Sequence, residues 1–470
     1  MTVGATMTAT RFAETFPDLD GTSVLVVGAG KSGRAATRLV LDHGASVTLA
    51  DRRDPAGIPG DVSALLELGV RLHPGGHPPA LLEDADLVVL SPGVPLAIDL
   101  VTEARTRGIP VWGEVELAAR FTTGRVIGIT GSNGKSTVTS MTGAILRNAG
   151  IAGGTGGNLD TPLAGLLDQD TSTAVHALEL SSFQLESIET FRPFVAVVLN
   201  LSPDHLDRHG SMDAYSAAKG RIFENQSNGD FAVLNADDAP SRRFDSAVHA
   251  CLHTISTRVE TERGAFLRDG RMFLRTDFGE EKLLRADALT LPGEHNVSNA
   301  LAAALAARLA GAPVDAIDAV LSSFQPLAHR LERIGEIRNV TFYNDSKATN
   351  AAATLPALGV FEAGTIHLIV GGKDKGGDWD ALVDAARAQV RSVLVIGADP
   401  GPMAQRFAGA CDVVECGTLE YAIEAALANA VPGDVILLSP ACASFDQFDD
   451  FEHRGDVFRE SVRALGGRHA

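Results

Sequence analysis

An α/β fold of three domains, each built on a largely parallel sheet, is predicted by three observations. Short apolar runs alternate with helical patterns along most of the chain. Glycine-rich turns follow two of those runs directly, at Gly28–Gly33 and Gly131–Gly134. The length, 470 residues, corresponds to about three domains.

The first domain is placed at 1–122. Ser23–Val27 reads as a strand, Lys31–His43 as a helix, and Ser46–Ala50 and Leu87–Leu90 as further strands. Between the first strand and the helix stands Gly28-Ala-Gly30-Lys-Ser-Gly33, with Asp51 closing the next strand. This is the dinucleotide fingerprint of a Rossmann-like domain, in which a backbone turn approaches a phosphate at a helix N-terminus. It fits NAD, it fits a uridine nucleotide equally, and it also fits plain strand-to-helix packing. Asp51 can accept from a ribose hydroxyl or a base N–H. Ser91-Pro92-Gly93 ends a neighbouring strand, where open α/β sheets bind ligands.

The second domain is placed at 123–326 and opens on Val126–Thr130. The strand runs into Gly131-Ser-Asn-Gly-Lys135-Ser136-Thr137, a phosphate loop opening a helix. Backbone N–H groups and the positive end of the helix face the phosphates. Lys135 adds a point charge there, and the Ser136 hydroxyl can reach Mg²⁺. The usual loop has a first glycine where this chain has Ile129, so the loop is a variant. Further strands are read at Val175–Leu180, Val195–Asn200 and Phe231–Asn235, and a β-rich stretch at 251–291 turns at Arg268-Asp-Gly-Arg271. Leu301–Ala312 is a buried helix.

Two strand ends in this domain carry ionisable groups. Glu179 ends an apolar run and is placed to hold Mg²⁺, the alternative being a helix cap ahead of Ser181. Asp204-His-Leu-Asp-Arg-His209 follows the next run as a dense ionisable cluster. Lys219, in Tyr215-Ser-Ala-Ala-Lys219, reads by itself as an exposed helical lysine. Asn296 and Asn299 read as N-caps of the next helix.

The third domain, 327–470, is Rossmann-like, with strands at Thr341–Tyr343, His367–Val370, Val393–Ile396 and Val435–Leu438. Its motifs are Asn344-Asp-Ser-Lys-Ala-Thr-Asn350, Gly371-Gly-Lys-Asp-Lys375 and Ser439-Pro-Ala-Cys-Ala-Ser-Phe-Asp-Gln-Phe448. Locally, Lys347 and Thr349 read as a strand-to-helix turn with Thr349 as N-cap.

Composition narrows the function classes. Lys+Arg is 40 against Asp+Glu 59, a formal charge of -19, which disfavours nucleic-acid and anionic-membrane partners. No apolar run reaches the length of a transmembrane helix, and residues 1–12 lack the pattern of a signal peptide. Met1 and Met7 are both possible starts. Cys251, Cys411, Cys416 and Cys442 show no metal spacing and read as reduced cytoplasmic thiols, most of them buried.

Together, Thr130–Thr137, Asp204–His209 and Gly293-Glu-His-Asn-Val-Ser-Asn299 resemble the Mur ligase superfamily of ATP-dependent amide-forming enzymes. The third-domain motifs resemble its D-glutamate-adding members, and the resemblance covers about residues 20–465. It implies a cytoplasmic, monomeric enzyme of peptidoglycan precursor synthesis. Its substrates would be ATP, UDP-N-acetylmuramoyl-L-alanine and D-glutamate, joined through an acyl phosphate.

The resemblance also assigns roles. Gly131, Ser132, Asn133, Gly134, Lys135, Ser136, Thr137, Asn296, Asn299, Arg330 and Asp345 are implied for ATP. Gly28, Ser32, Asp51, Ser91, Gly93, Asn158 and His205 are implied for the uridine-linked substrate. Lys347, Thr349, Lys375, Ser444 and Phe445 are implied for D-glutamate. Ser136 and Glu179 would hold one Mg²⁺, and His205 with Lys219 a second. A cationic lysine cannot ligate a metal, so the family's carbamylated lysine is carried to Lys219. Lys135, His205, Lys219, Arg330 and Lys347 are implied for catalysis, with the third domain closing over the second to exclude water. Against these stand another amide ligase of the superfamily, an NAD-dependent dehydrogenase built on Gly28–Gly33, and a nucleotide sensor.

Overall fold

The computed structural model describes residues 17–469 apart from 59–61, 160, 292, 326 and 377. The segment 1–12 and the two candidate starts lie outside the described residues. The chain forms two compact units, one of Met1–Asn200, Ser216–Asp287 and Asn299–Leu321, the other of Leu201–Tyr215, Ala288–Ser298 and Ser322–Ala470.

The first unit contains two sheets. The N-terminal one has strands β1 (Ser23–Val27), β2 (Ser46–Ala50), β3 (Arg71–His73), β4 (Leu87–Leu90) and β5 (Val111–Gly113). Their order is β3-β2-β1-β4-β5, with every pair parallel. Val24–Val27 and all of β4 are buried, as expected of strands covered on both faces. The chain moves outward from β1 to β3 and then returns to β4, so the sheet reverses direction between β1 and β4. Ligands bind such sheets at that reversal, beyond the strand C-termini.

The central sheet comprises β6 (Arg125–Thr130), β7 (Thr155–Gly157), β8 (Val175–Glu179), β9 (Val195–Val198), β10 (Phe231–Asn235), β11 (Cys251–Ser256), β12 (Gly264–Arg268), β13 (Arg271–Thr276) and β14 (Gly279–Arg285). The order is β14-β13-β12-β11-β10-β9-β6-β8-β7. Pairing is parallel from β7 through β12, and antiparallel from β12 to β14. The β12–β13 turn is Asp269-Gly270, with φ of 49° and 71°. Two positive φ values in a two-residue loop match the twist of the hairpin. In helix Glu294–Leu309 every residue from Ala300 to Ala307 is fully buried. Its small side chains let neighbouring elements pack close on all sides.

Glu116 joins the two sheets of this unit. It is fully buried in helix Glu114–Ala119 and accepts from the N–H groups of Glu189, Thr190 and Phe191 and from Arg120 Nε. Its neighbour Glu114 is also buried and accepts from the Ala164 N–H at 2.8 Å. Burial pushes the Glu114 carboxyl up to about 7, and its Oε2 has no hydrogen-bond partner among the described residues.

The second unit is built on β15 (Glu332–Ile337), β16 (Val340–Asn344), β17 (Ile366–Gly371), β18 (Val390–Ile396), β19 (Asp412–Gly417) and β20 (Val435–Leu438). The order is β15-β16-β20-β17-β18-β19, with only β15 antiparallel to its neighbour. Leu382, Met403 and Phe407 pack on one face, and Leu419, Ile423, Leu427, Phe458 and Val462 on the other.

Two local expectations are corrected. Cys442 is fully buried, but Cys251, Cys411 and Cys416 are only partly so. Cys416 lies in the edge strand β19 and Cys411 in the turn before it, and Cys251 opens β11 ahead of the stretch that β12 pairs with. Thr349 is not the N-cap of helix Ala351–Leu358; Asn350 is, accepting from the Ala353 N–H at 2.8 Å.

Candidate active site

The phosphate loop follows β6 and leads into helix Lys135–Asn148. Gly134 has a φ of 87°, and a Cβ there would stand 2.5 Å from Asn299 Oδ1. Only glycine fits both the left-handed backbone and that contact. Lys135 folds back on its own loop, donating to the carbonyls of Gly131 (2.9 Å) and Ser132 (2.8 Å). Its ammonium is thereby fixed at the turn.

Asn200, just beyond β9, holds the loop from the side. Its Oδ1 accepts from the Asn133 N–H at 2.8 Å, and its Nδ2 donates to the Asn133 carbonyl at 3.0 Å. Its own carbonyl accepts from the Ser132 N–H at 2.9 Å. Sequence reasoning assigns Asn200 no role. The only available signal is its place at the end of the strand beside the loop, which many structural residues share.

A second group of polar atoms lies at the end of β8. Glu179 is buried; its Oε2 accepts from Ser136 Oγ at 2.6 Å and its Oε1 from Asn158 Nδ2 at 2.8 Å. The helix-cap alternative fails, because Ser181 and Gln184 form their own capping box. A buried carboxylate beside a hydroxyl is the hard-oxygen donor set that suits Mg²⁺. Lys219, in helix Met212–Gly220, is not exposed: 1% of it is accessible, and its Nζ donates to the Gly131 carbonyl at 2.8 Å. It also lies 3.4 Å from Thr130 Oγ1. A lysine is buried at such cost only where its head group has fixed acceptors. As an amine it offers N–H donors and does not fit a metal; a carbamate on the same nitrogen would present oxygens.

The N-terminal fingerprint is a tightly closed turn. Gly28 has a φ of 96°, and its carbonyl accepts from Ser91 Oγ at 2.8 Å. A Cβ on Gly33 would stand 1.7 Å from the Gly28 carbonyl oxygen, so the third glycine permits close helix–strand packing. Asp51 Oδ2 accepts from the Ala29 N–H at 2.7 Å. Both Asp51 oxygens also receive Arg53, at 2.8 Å each. These bonds from Arg53, with backbone N–H groups adding to them, hold its carboxyl well below the usual range despite burial. Ser32 is half-buried and Gly93 exposed at the same strand ends.

In the second unit three loops meet at the C-terminal ends of β16, β20 and β17, which are consecutive in the sheet. The Ala441 N–H donates to the Ala348 carbonyl, joining the β20 loop to the β16 loop. Lys373 and Ala443 exchange both backbone hydrogen bonds, joining the β17 and β20 loops. Lys347 Nζ lies 4.7 Å over the Phe451 ring. Lys375 Nζ donates to Thr349 Oγ1 at 3.3 Å and stands 3.8 Å from Asp204 Oδ1. Asn350 Nδ2 donates to the other Asp204 oxygen at 3.1 Å. Ser444, the residue after Ala443, is buried, and Phe445 stands 69% exposed. Lys375, Thr349, Asn350 and Asp204 thus form one linked polar group. Asp204 and Asn350, given no individual role from sequence, tie the group together.

His205 has a φ of 54°, and its Nε2 lies 3.8 Å from Asp204. Asp345 is buried, receiving the Leu331 N–H at 3.2 Å and Ser439 Oγ at 2.8 Å. Burial pushes its carboxyl up to about 6, and Arg330, with Nη1 at 4.0 Å, pulls it down. Asn296 is buried near His295, whose imidazole burial pushes down to about 4, with Arg330 acting in the same direction. Neither Asn296 nor Asn299 caps its helix, which starts at Glu294.

A glycine turn with a retracted lysine, set on a mostly parallel sheet beside a carboxylate–hydroxyl pair, defines the phosphate-loop class of α/β proteins. Residues 22–113 match the Mur ligase MurD-like N-terminal domain, 129–307 the Mur ligase middle domain, and 329–442 the Mur ligase glutamate ligase domain. A UDP-N-acetylmuramoylalanine--D-glutamate ligase of Acidobacterium capsulatum is 45% identical over 96% of this chain and 98% of its own. One of Koribacter versatilis is 44% identical over 95% and 98%. The chain belongs to the Mur ligase family, and its relatives place it with the D-glutamate ligases within it. Two solved structures share the fold. A pseudomurein peptide ligase of Methanothermus fervidus has a TM-score of 0.59 at 21% identity, covering 95% of this chain and 100% of its own. A UDP-N-acetylmuramate-alanine ligase of Thermotoga maritima has 0.60 at 19%, covering 94% and 99%. No described helix is long and apolar enough to cross a membrane.

Proposed function

We propose that this protein joins D-glutamate to UDP-N-acetylmuramoyl-L-alanine at the expense of ATP, as a cytoplasmic monomer in peptidoglycan precursor synthesis. The observation that carries this reading is the similarity, unbroken over nearly the whole chain, to relatives that bear that ligase name.

In this reading the alanyl carboxylate attacks the γ-phosphorus of ATP and ADP leaves. The amine of D-glutamate then attacks the acyl carbon, loses a proton, and phosphate departs. Both steps gather anions, so the acidic chain needs local positive charge. Lys135 and the N–H groups of the loop Gly131–Gly134 supply it at the phosphates, with Ser136 and Thr137 opening the helix. Asn200 keeps the loop in shape, and Asn299, beside Gly134, would reach ATP. Ser136 and Glu179 would hold Mg²⁺, and His205 with a carbamylated Lys219 a second ion. When bound, Mg²⁺ offsets charge on the phosphate oxygens. The nucleotide roles of Asn296, Arg330 and Asp345 rest on the family resemblance. Asp345, engaged by the Leu331 N–H and Ser439 Oγ, also fixes the start of the Ser346–Asn350 loop.

Lys347, Thr349, Lys375, Ser444 and Phe445 would receive the two carboxylates of D-glutamate, with Asp204 orienting Lys375. The turn of Gly28, Ser32, Ser91 and Gly93 would cradle the uridine nucleotide. Asp51 would accept from the uridine nucleotide, while it also braces that turn through the Ala29 N–H and engages Arg53. Asn158 and His205 complete the muramoyl contacts.

Phosphate release from ATP tests the reading. It is expected only when UDP-N-acetylmuramoyl-L-alanine and D-glutamate are both present. Release with L-alanine, L-lysine or a folate in place of D-glutamate would overturn it.

A further inference from the structure

Arg454 lies in the first turn of helix Phe451–His469 and is fully buried. Its Nε donates to Ser346 Oγ at 3.0 Å and its Nη2 to the Ser346 carbonyl at 2.8 Å. Nη1 donates to the Cys442 carbonyl at 3.1 Å. One guanidinium thus spans the residue before Lys347 and the residue two before Ser444. All three bonds go to neutral acceptors. A buried charge held by neutral groups is costly, and neutral donors could satisfy two carbonyls and a hydroxyl without that cost. Burial lowers the group to about 10, which still leaves it cationic at neutral pH.

The surroundings repeat the pattern. Ser346 Oγ also donates to the Phe451 carbonyl at 2.8 Å, and the Phe451 ring lies under Lys347 Nζ. Asn344 Nδ2 donates to the Gly455 carbonyl at 3.0 Å. A Cβ on Gly455 would stand 2.1 Å from His329 Nδ1, so the helix packs against His329 as closely as backbone allows.

We propose that Arg454 is a positioning residue for the acceptor amino acid, locking the loops that carry Lys347 and Ser444 in one arrangement and placing a fixed positive charge beneath a bound dicarboxylate. This rests on reading those loops as the D-glutamate site.

The test uses full-length Arg454→Lys and Arg454→Gln, with two readouts. In steady-state kinetics, Arg454→Lys raises KM for D-glutamate about 30-fold, the scale of a lost charged hydrogen bond, while KM for ATP stays within about twofold. In hydrogen exchange, segments 344–350 and 439–446 exchange faster while β17 and β18 do not change. A fall in kcat with every KM unchanged, or unchanged exchange in either segment, overturns the proposal. Should Arg454→Gln fail to fold, Ser346→Ala removes the acceptor of Nε and must show the same pattern at smaller size; a flat result overturns it. Wild-type turnover that ignores D-glutamate would refute the ligase reading instead, and loop exchange would still decide whether Arg454 locks the two segments.

Discussion

Asn200→Ala removes both side-chain bonds to the Asn133 peptide, at 2.8 and 3.0 Å, but keeps the backbone bond to Ser132. Each lost bond is worth about 0.5–1.5 kcal/mol net, so the loop loses about 1–3 kcal/mol of order. If ATP binding must restore that order, KM for ATP rises about 5- to 150-fold, since 1.4 kcal/mol is a factor of ten. Asn200→Asp is expected to be worse. It keeps an acceptor for the Asn133 N–H but sets a carboxylate oxygen against the Asn133 carbonyl, close to the phosphates. The assay is coupled ADP release with each substrate varied in turn, and thermal unfolding to show that the fold survives. KM values for the two other substrates should stay within about twofold, because their residues are untouched. An Asn200→Ala enzyme with wild-type KM for ATP would refute the clamp. So would an aspartate variant that binds ATP better than the alanine one.

Lys219→Ala should lower turnover by at least about 100-fold, the scale of losing one electrostatic group at a reaction centre, and short carboxylates such as formate or acetate should restore part of it if the lysine acts as a carbamate. Absence of any rescue would sink the carbamate. Glu114 has its folded pKa raised from 4.5 to about 7 by burial, so the folded state binds more protons across that window. Stability contributed by the neutral acid is present below pH 4.5 and is lost as pH rises toward 7. Glu114→Gln should therefore gain stability relative to wild type between pH 5 and 8, measured by urea unfolding; a difference flat with pH would count against it. Gly33→Ala forces a Cβ to within 1.7 Å of the Gly28 carbonyl and should raise KM for the uridine-linked substrate more than that for ATP. An equal fold-change in both KM values in that variant would show that the turn does not carry the nucleotide.

The central strands of all three sheets are legible in the sequence because buried parallel strands are nearly continuous apolar runs. Five strands are not. Arg71–His73, Val111–Gly113 and Thr155–Gly157 have three residues each, too few for a pattern, and Glu332–Ile337 and Asp412–Gly417 are half-polar edge strands. The phosphate loop and the three motifs of the second unit were legible because backbone demands restrict their residue types. The burial of Lys219 was not, since helical spacing says nothing about a side chain reaching across to the Gly131 carbonyl. Asn200, Arg454 and the particular partners of Asp204 were hidden for a related reason. Each acts by holding a loop distant in sequence, and such partnerships leave no local trace.

The three loops at the ends of β16, β20 and β17 are fastened to one another through main-chain bonds as well as through side chains. Changing side chains on one loop leaves the main-chain fastenings intact, so small adjustments of acceptor preference are open to point substitution. Transplanting a single loop from a ligase that takes another amino acid is a different matter. The graft would bring a backbone cut to fit two absent neighbours. Redesign of acceptor choice in this protein should therefore move all three segments, with the helix at Phe451 that supports them, as one cassette.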